Sequence, residues 1–233
     1  MSPKPQLKDR IKFTNISENI KYQIRSSQAI LQYGIGAMVD FPDQTLMTAA
    51  PEYWSDNIIK LYDERLQKAL KVSYFGVPAS GISYVRFPQW YFCPKCRRFQ
   101  PITEWFQEYK KANSKMLNRD PYMKVPRCSE CKQDLVVARV VTVCSDGHID
   151  DFPWIKWAHY RNSGGSKPVC DKPRLTFSTG TTATAGLEGL IVKCTSCNSK
   201  ATLQDAFDPT IFDKLDKQNG IINPAIKYIS YAA

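Results

Sequence analysis

The chain has 233 residues, of which 43% are hydrophobic and 12% aromatic, and it carries a formal net charge of +10. This composition excludes an intrinsically disordered protein, and the length suits one large or two small domains. No run of about 18 apolar residues is present, and the N-terminal sequence MSPKPQLKDR lacks the apolar stretch of a secretory signal. We therefore expect a cytoplasmic protein with no membrane contact.

Residues 1–85 predict a helical N-terminal region. Apolar residues favour a helix up to Gln32, after which Gly34 and Gly36 interrupt the pattern. Residues 55–71, SDNIIKLYDERLQKALK, form the clearest helical pattern of the chain, with Ser55 as the capping residue.

Strand patterns begin after this region. The sequence GISYVRFPQWYFC leads into the first cysteine pair, and LVVARVVTVC at 135–144 predicts one continuous strand buried on both faces. The segments PRLTFSTG and LIVKC predict two more strands. We expect an α+β fold in which a zinc-ribbon-like module at 86–140 is followed by a second zinc-binding module at 141–233.

Three helices are predicted within these modules. Thr103 caps a short helix that runs through Tyr109. The segment DDFPWIKWAHY predicts a helix that starts at Asp150 or Asp151 and places its tryptophans on one side. The last helix starts at Thr202, with a capping-box acid three residues later.

The cysteine pattern points to zinc. Two cysteines separated by two residues fit one tight turn, and two such turns build the tetrahedral thiolate set that Zn²⁺ prefers. All eight cysteines lie between positions 93 and 197, and without a secretory signal they favour zinc over disulfides. The three Cys-x-x-Cys pairs are Cys93/Cys96, Cys128/Cys131 and Cys194/Cys197. We expect two structural Zn²⁺ ions.

The first predicted site has the spacing of a zinc ribbon with an enlarged loop, Cys93-x2-Cys96-x31-Cys128-x2-Cys131. The second site needs two ligands beyond Cys194 and Cys197. The four groups that compete for these places are Cys144, His148, His159 and Cys170. The sequence CSDGH resembles a knuckle in which His replaces the second Cys, so Cys144 and His148 are preferred. His159 and Cys170 are the alternatives. A histidine on a helix with two tryptophans, as His159 is, is more often a packed core residue or a neighbour of the site than a ligand, and Cys170 is either a ligand in place of His148 or a buried small thiol.

His148, Asp150 and Asp151 raise the alternative of a metal-dependent hydrolase or nuclease, because a His and two carboxylates can hold a catalytic metal and its water. The two acids also suit the start of the following helix, where negative charge is favourable. Two complete zinc sites would leave no open coordination position for catalysis. We therefore expect no catalytic residue.

Residues 95–139 contain eleven Lys and Arg against five acids. Two thiolate-rich zinc sites would lower the effective charge of the whole chain only to about +7, so a DNA partner is plausible. The residues predicted to contact DNA are Lys95, Arg97, Arg98, Lys110, Lys111, Lys115, Arg119 and Lys124. The interleaved aromatic residues Trp105, Phe106, Tyr109 and Tyr122 either stack on bases or face the core, and the sequence leaves both interpretations open.

Four segments of the chain resemble the N-terminal part of the DrmB family. In chain order they are RSSQAILQYGIGAMVDF, VRFPQWYFCPKC, ARVVTVCSDGHIDDFPWIKWAHY and IVKCTSCNSKATLQDAF. These proteins are the zinc-containing accessory subunits of the bacterial DISARM anti-phage system. The resemblance runs from about Arg25 to Phe207 and is most specific at GHIDDFPW. It implies a helicase-like ATPase partner, DrmA, and a DNA-binding complex. It also implies a large C-terminal part that this chain lacks, so we expect a companion chain to supply it.

The leading hypothesis is therefore a non-catalytic, zinc-stabilised DNA-binding and scaffold subunit of a defence complex. Two other classes remain as alternatives: the hydrolase or nuclease described above, and a module that binds only protein.

Overall fold

The structure is a computed structural model, and it describes residues 25, 28, 31–41, 44–51, 54, 57–79, 81–112, 117–121, 123–145, 147–162, 166–180, 186–208, 210–212 and 228–232. The chain divides into two compact units, Met1–Phe87 and Pro88–Ala233. The described residues form three α-helices and fourteen strands, and every strand pair is antiparallel. No helix among them is both long and apolar enough to cross a membrane.

The first unit contains β1 (Met38–Phe41), β2 (Gln44–Thr48), β3 (Ile58–Leu61), α1 (Glu64–Leu70), β4 (Phe75–Pro78) and β5 (Tyr84–Arg86). Strands β1, β2 and β5 form one sheet in that order, and β3 pairs with β4 in a second, two-stranded sheet. Among the described residues of this region, more lie in strands than in helices, which corrects its prediction as a helical region. The predicted helix that ends at Gln32 lies largely outside the described residues.

The helix predicted over residues 55–71 is shorter in the structure. Asp63 begins it, because the Leu66 N–H donates to the Asp63 carboxylate at 3.0 Å, and Lys71 ends it in a left-handed conformation. The preceding residues form β3 instead, where Ile58 pairs with Pro78 and Leu61 with Phe75. β-branched residues favour a strand once a partner strand is present, and the local apolar spacing carries no information about that partner.

The second unit contains the remaining elements. These are β6 (Trp90–Phe92), β7 (Arg98–Pro101), α2 (Ile102–Ala112), β8 (Val136–Val137), β9 (Val140–Cys144), β10 (Ile149–Asp151), α3 (Trp154–Tyr160), β11 (Leu175–Thr179), β12 (Leu190–Cys194), β13 (Lys200–Thr202) and β14 (Tyr228–Ala232). A six-stranded sheet has the order β13-β12-β11-β7-β6-β8, and a smaller sheet has the order β10-β9-β14.

Helix α3 packs on one face of the six-stranded sheet and forms the main core. Trp154, Trp157 and Ala158 are all buried, which confirms their predicted common side. The Trp154 ring meets Phe99 edge-on with ring centroids 5.0 Å apart, and Phe177 lies 5.8 Å from it. Such aromatic contacts add about 0.5–1.5 kcal/mol each to the free energy of burial. This core holds α3 against β12 and β13, the strands that flank the third cysteine pair.

Two further predictions differ from the structure. The segment 135–144 is not one strand, because the Ala138 N–H donates to the Trp90 carbonyl and β8 and β9 then join different sheets. The helix predicted from Thr202 does not start there, since Thr202 ends β13 and the described residues 203–207 form turns and bends. Asp205 adopts a left-handed conformation there, and its carboxylate binds the Arg161 guanidinium at 2.7 Å.

Candidate metal centres

Two groups of four ligand side chains come together in the second unit. In the first group, the sulfur atoms of Cys93, Cys96, Cys128 and Cys131 all lie within 4.8 Å of one another. The first pair sits in the turn between β6 and β7. The second pair sits in the turn closed by the isolated bridge between Arg127 and Asp134. Cys93 and Cys128 are completely buried, so one thiolate of each turn is shielded from water.

All three Cys-x-x-Cys turns share one backbone geometry. In each, the N–H of the first cysteine donates to the carbonyl five residues later: Cys93 to Arg98 at 3.0 Å, Cys128 to Gln133 at 2.9 Å and Cys194 to Ser199 at 2.7 Å. The residue four positions after that cysteine is left-handed in every case, with φ of 64° at Arg97, 58° at Lys132 and 61° at Asn198. This common turn aims both sulfurs of a pair in the same direction.

Backbone N–H groups already favour thiolates in the first group. The Cys96 N–H points at Cys93 Sγ at 3.5 Å, and the Cys131 N–H points at Cys128 Sγ at 3.4 Å. Burial by itself raises the pKa of Cys93, but N–H donation from Cys96 and Lys95 lowers it to about 7. Burial raises the pKa of Cys96 to about 12. Cation binding to all four sulfurs therefore requires the release of protons, as in other thiolate sites.

Arg98 connects the first group to helix α2. Its guanidinium contacts Glu108 at 2.8 Å and Glu130 at 3.3 Å, and it donates to Ser129 Oγ at 3.1 Å. It also lies 4.4 Å from the ring centre of the buried Trp105. Burial lowers the pKa of Arg98, but the two carboxylates raise it above its ordinary value. Arg98 is therefore tied to the second cysteine turn and is not a free cation on the surface.

In the second group, the ligand atoms of His159, Cys170, Cys194 and Cys197 lie within 4.8 Å of one another. Helix α3 supplies the histidine, the loop before β11 supplies Cys170, and the turn after β12 supplies the other two. Cys197 Sγ lies 3.3 Å from His159 Nε2, and Cys170 Sγ lies 3.7 Å from Cys194 Sγ. His159 is buried, with 1% of its surface exposed.

The orientation of His159 suits a metal ligand. Its Nδ1 lies 2.6 Å from the carbonyl of Ile155, and only a protonated nitrogen can make that hydrogen bond. In the neutral ring, Nε2 then carries a lone pair toward the three cysteines. Hydrogen bonds from Ser199, whose Oγ lies 3.2 Å from the sulfur, lower the pKa of Cys197 to about 6. Burial raises the pKa of Cys170 to about 11.

Cys144 and His148 are not part of this second group, so the preferred pair of the sequence analysis does not agree with the structure. They lie in the hairpin between β9 and β10, where Cys144 N–H donates to the His148 carbonyl at 3.0 Å. Their side chains contact each other, with Sγ and Nδ1 3.2 Å apart, but the described residues add no third ligand there. The physical reason is that this hairpin belongs to the smaller sheet, whereas α3 and the loop before β11 pack beside β12.

Asp150 and Asp151 do not cap helix α3, contrary to the prediction. Both belong to β10, and the helix starts after Pro153 without a side-chain cap. The Asp151 carboxylate accepts the Gln89 N–H at 3.0 and 3.1 Å, while Asp150 Oδ1 accepts the Asp151 N–H at 2.8 Å. Burial, together with the nearby Asp150, raises the pKa of Asp151 to about 7 despite the N–H donors of Gln89 and Trp90.

The hydrolase alternative needs His148, Asp150 and Asp151 around one metal ion. Successive side chains of a strand point to opposite faces, so the two carboxylates diverge. Asp150 is exposed, whereas Asp151 is turned toward the backbone of Gln89. These three residues form no ligand group among the described part of the chain.

The residues predicted to contact DNA differ in their exposure. Lys95, Lys110, Lys111 and Arg119 are exposed, Arg97 and Lys124 are partly buried, Arg98 is engaged as described above, and Lys115 lies outside the described residues. Among the aromatic residues, Trp105 is buried and its Nε1–H donates to the Tyr91 carbonyl at 3.1 Å. Tyr109 donates its hydroxyl to the Asp120 carbonyl at 2.8 Å. For these two residues the structure favours a role in packing over base stacking.

Two four-ligand groups, one of four cysteines and the other of three cysteines and a histidine, place the chain in a class of protein with two candidate four-ligand metal sites. Each group could hold a zinc ion, because the ligand types, their number and their mutual distances match a tetrahedral site. A family described as "Domain of unknown function (DUF8724)" matches residues 25–226, and the chain belongs to this family.

The chain is also similar to "DISARM protein DrmB" of Bacillus paralicheniformis (strain ATCC 9945a / NCIMB 11709 / CD-2), with 29% identity over 184 residues. This similarity confirms the resemblance inferred from the sequence. The match covers 75% of the chain but only 29% of that relative, so the chain spans less than a third of the relative's length.

Proposed function

We propose that this chain is a non-catalytic, zinc-stabilised subunit of an anti-phage defence complex that contacts DNA beside a helicase-like ATPase. The observation that carries the proposal is the pair of closed four-ligand groups in a chain similar to DrmB. A closed set of four protein ligands has no position for substrate or water, so zinc there stabilises the fold. We also propose that the paired turns of each group are zinc-ribbon-like, one at 86–140 and one at 141–233, and the strands of both ranges contribute to one sheet.

The structural role of zinc follows from what the ligands connect. The first group joins the turn between β6 and β7 to a loop more than 30 residues later, and the second joins α3, a loop and β12. Structural zinc contributes on the order of 10 kcal/mol to small domains, which is comparable to a whole domain's net stability. The ions therefore hold the segments that the sheet alone does not connect.

The place in a defence complex rests on the similarity to DrmB. We propose a cytoplasmic assembly in which this chain plays the part of the DrmB segment that it matches. The basic balance of +10 supports a DNA partner, since phosphate contacts dominate protein–DNA affinity.

An additional protein contact is supported by the first unit. Helix α1 has no buried residue, and Ile59, Tyr62 and Leu70 are 51, 69 and 57% exposed. Exposed large apolar side chains are typical of protein interaction sites. We propose that the contact with the ATPase lies there, and a module that binds only protein would present the same side chains.

The test is co-purification of the tagged full chain with the products of its own operon, followed by metal analysis and DNA binding. We expect about two zinc ions per chain, an ATPase in the purified complex and salt-dependent DNA binding. Cys144→Ser is the matched control for Cys194→Ser, because only Cys194 belongs to a closed group. Fewer than one zinc per chain, or a complex without an ATPase, would overturn the proposal.

A further inference from the structure

A row of basic and hydroxyl side chains crosses the six-stranded sheet. The register pairs Thr176 with Lys193, and Lys193 with Lys200, so these residues are neighbours across β11, β12 and β13. Side chains alternate along a strand, and the residues next to them, Leu175 and Val192, are buried in the aromatic core. The row therefore lies on the opposite face of the sheet, away from α3.

The same face continues along β11 in both directions. Ser178 lies two residues after Thr176, and Arg174 lies two residues before it, where the Thr195 N–H donates to the Arg174 carbonyl at 2.7 Å. We define the basic face as Arg174, Thr176, Ser178, Lys193 and Lys200. Arg174 and Lys200 are exposed, and the other three are partly exposed. Thr176 Oγ1 makes one long contact, 3.4 Å, to the Lys193 carbonyl.

No ion pair between described residues neutralises the cations of the basic face. None of the ion pairs between described residues involves Arg174, Lys193 or Lys200. The strands β11, β12 and β13 contain no Asp or Glu. Arg98, opposite Thr176 on β7, marks the edge of the face, because its guanidinium is held by Glu108 under helix α2. The open part of the sheet thus carries positive charge beside hydroxyl groups.

We propose that the basic face binds the sugar–phosphate backbone of double-stranded DNA. This inference rests on the proposed function and assigns its DNA contact to a surface different from the residues that the sequence suggests. Lys and Arg together with Ser and Thr hydroxyls are the side chains that contact phosphate oxygens in protein–DNA complexes. The row from Thr176 to Lys200 spans two strand spacings, about 10 Å, so one backbone can contact several of its members.

A duplex fits better than a single strand. Proteins that bind single strands use aromatic side chains as stacking platforms for the bases. Three aromatic residues of this sheet point the other way: Phe99 and Phe177 lie 5.3 Å apart in the core, and Phe92 lies 5.0 Å from Phe177. Tyr91 has the opposite orientation on β6, but it is buried and offers no stacking surface. The basic face offers charge and hydrogen bonding without such a platform. It is therefore suited to a backbone whose bases are already stacked.

The experiment measures binding of the full chain to a short mixed-sequence DNA duplex over a range of salt concentrations. The test variant is Arg174→Gln/Lys193→Gln/Lys200→Gln. The matched control is Arg65→Gln/Lys68→Gln/Lys71→Gln, which changes the net charge equally at exposed positions of the first unit. Each lost phosphate contact lowers the slope of log affinity against log salt by about 0.9, so we expect a decrease of up to about 2.7 in the test variant and none in the control.

Lys193 precedes the proposed ligand Cys194, so zinc content and thermal unfolding are measured for each protein. If the triple variant loses zinc, Arg174→Gln/Lys200→Gln leaves β12 unchanged and is expected to lower the slope by about 1.8. A further variant, Lys110→Gln/Lys111→Gln, tests the helix α2 surface and should keep the wild-type slope.

The outcomes separate the inference from the proposed function. If the wild-type chain shows no salt-dependent duplex binding, the DNA contact of the proposed function fails together with the inference. If the wild type binds but the zinc-loaded test variant keeps its slope, only the inference fails. Tighter binding of a single strand than of the duplex would overturn the choice of ligand. Retained DNA binding with loss of an acidic partner protein would reassign the basic face to protein recognition.

Discussion

His159 Nε2 lies 3.3 Å from Cys197 Sγ, although the two residues are 38 positions apart in the chain. The Ile155 carbonyl accepts from the other ring nitrogen and orients the imidazole toward the sulfurs. A helix thereby contributes the fourth ligand of a group whose other members come from a loop, the end of β12 and the turn after it. The histidine ligand distinguishes the second group from the first group, in which all four ligands are cysteines.

His159→Ala should lower the zinc content of the full chain from about two ions toward one, because the second centre loses its only nitrogen ligand. His148→Ala is the control, since His148 lies outside both closed groups, and it should keep both ions. Metal analysis after dialysis against a weak chelator measures the difference. Loss of zinc from the His148 variant, with His159 dispensable, would return the second site to the hairpin between β9 and β10.

Cys93→Ser should destabilise the second unit far beyond its own turn. A structural zinc site contributes on the order of 10 kcal/mol, and a missing thiolate weakens the ion's hold on Cys128 and Cys131 as well. Cys144→Ser is the matched control, because its sulfur contacts only His148 in the described structure. The unfolding temperature of each variant is measured with and without excess chelator. Similar unfolding of the two variants would contradict a structural role for the first centre.

Arg98→Lys should destabilise the fold by about 1–2 kcal/mol, because lysine cannot reproduce the planar contacts to Glu108, Ser129 and the Trp105 ring. The Arg98 side chain is 28% exposed, so these contacts are only partly screened by water. The control is Lys68→Ala, which breaks an exposed pair with Glu64 and should change stability by at most about 0.5 kcal/mol. Chemical denaturation compares the two. If Arg98→Lys leaves the free energy of unfolding unchanged, the contacts of Arg98 with Glu108, Ser129 and Trp105 do not stabilise the cysteine turn.

Asp151 should make stability depend on pH. Its pKa is raised from 3.8 to about 7 in the fold, so between these values the folded state binds more protons than the unfolded state. Stability therefore falls as pH rises through this window, by about 1.4 kcal/mol for each pKa unit at most. Above pH 7, Asp151→Asn should be more stable than the wild type.

The control for this prediction is Asp150→Asn, which changes the neighbouring exposed acid. It should keep most of the pH dependence, with a small reduction because the Asp150 charge contributes to the raised pKa of Asp151. Unfolding free energies at pH 5 and pH 8 compare the three proteins. An Asp151→Asn variant that keeps the wild-type dependence would show that another group titrates in this window.

The sequence alone determined the features that depend on neighbouring residues. A Cys-x-x-Cys turn is specified within about six residues, and all three turns adopt the same backbone form. The strand patterns that became β11 and β12 were equally local, as was the common side of Trp154 and Trp157 on α3. The similarity to DrmB was also carried by short motifs in a fixed order. Local chemistry is sufficient for each of these conclusions.

Only the tertiary structure decided which distant groups meet. From spacing, His148 and His159 were competing partners for Cys194 and Cys197, and the packing of α3 on β12 and β13 brought in His159. In the same way, Ile58 and its neighbours form a strand because they pair with β4. Asp151 does not cap the helix because its carboxylate accepts the Gln89 N–H. The physical reason is common to these cases. A ligand, a strand partner or a buried hydrogen bond is contributed by residues far away in sequence, and only the order of the strands and the packing of the core place them within reach.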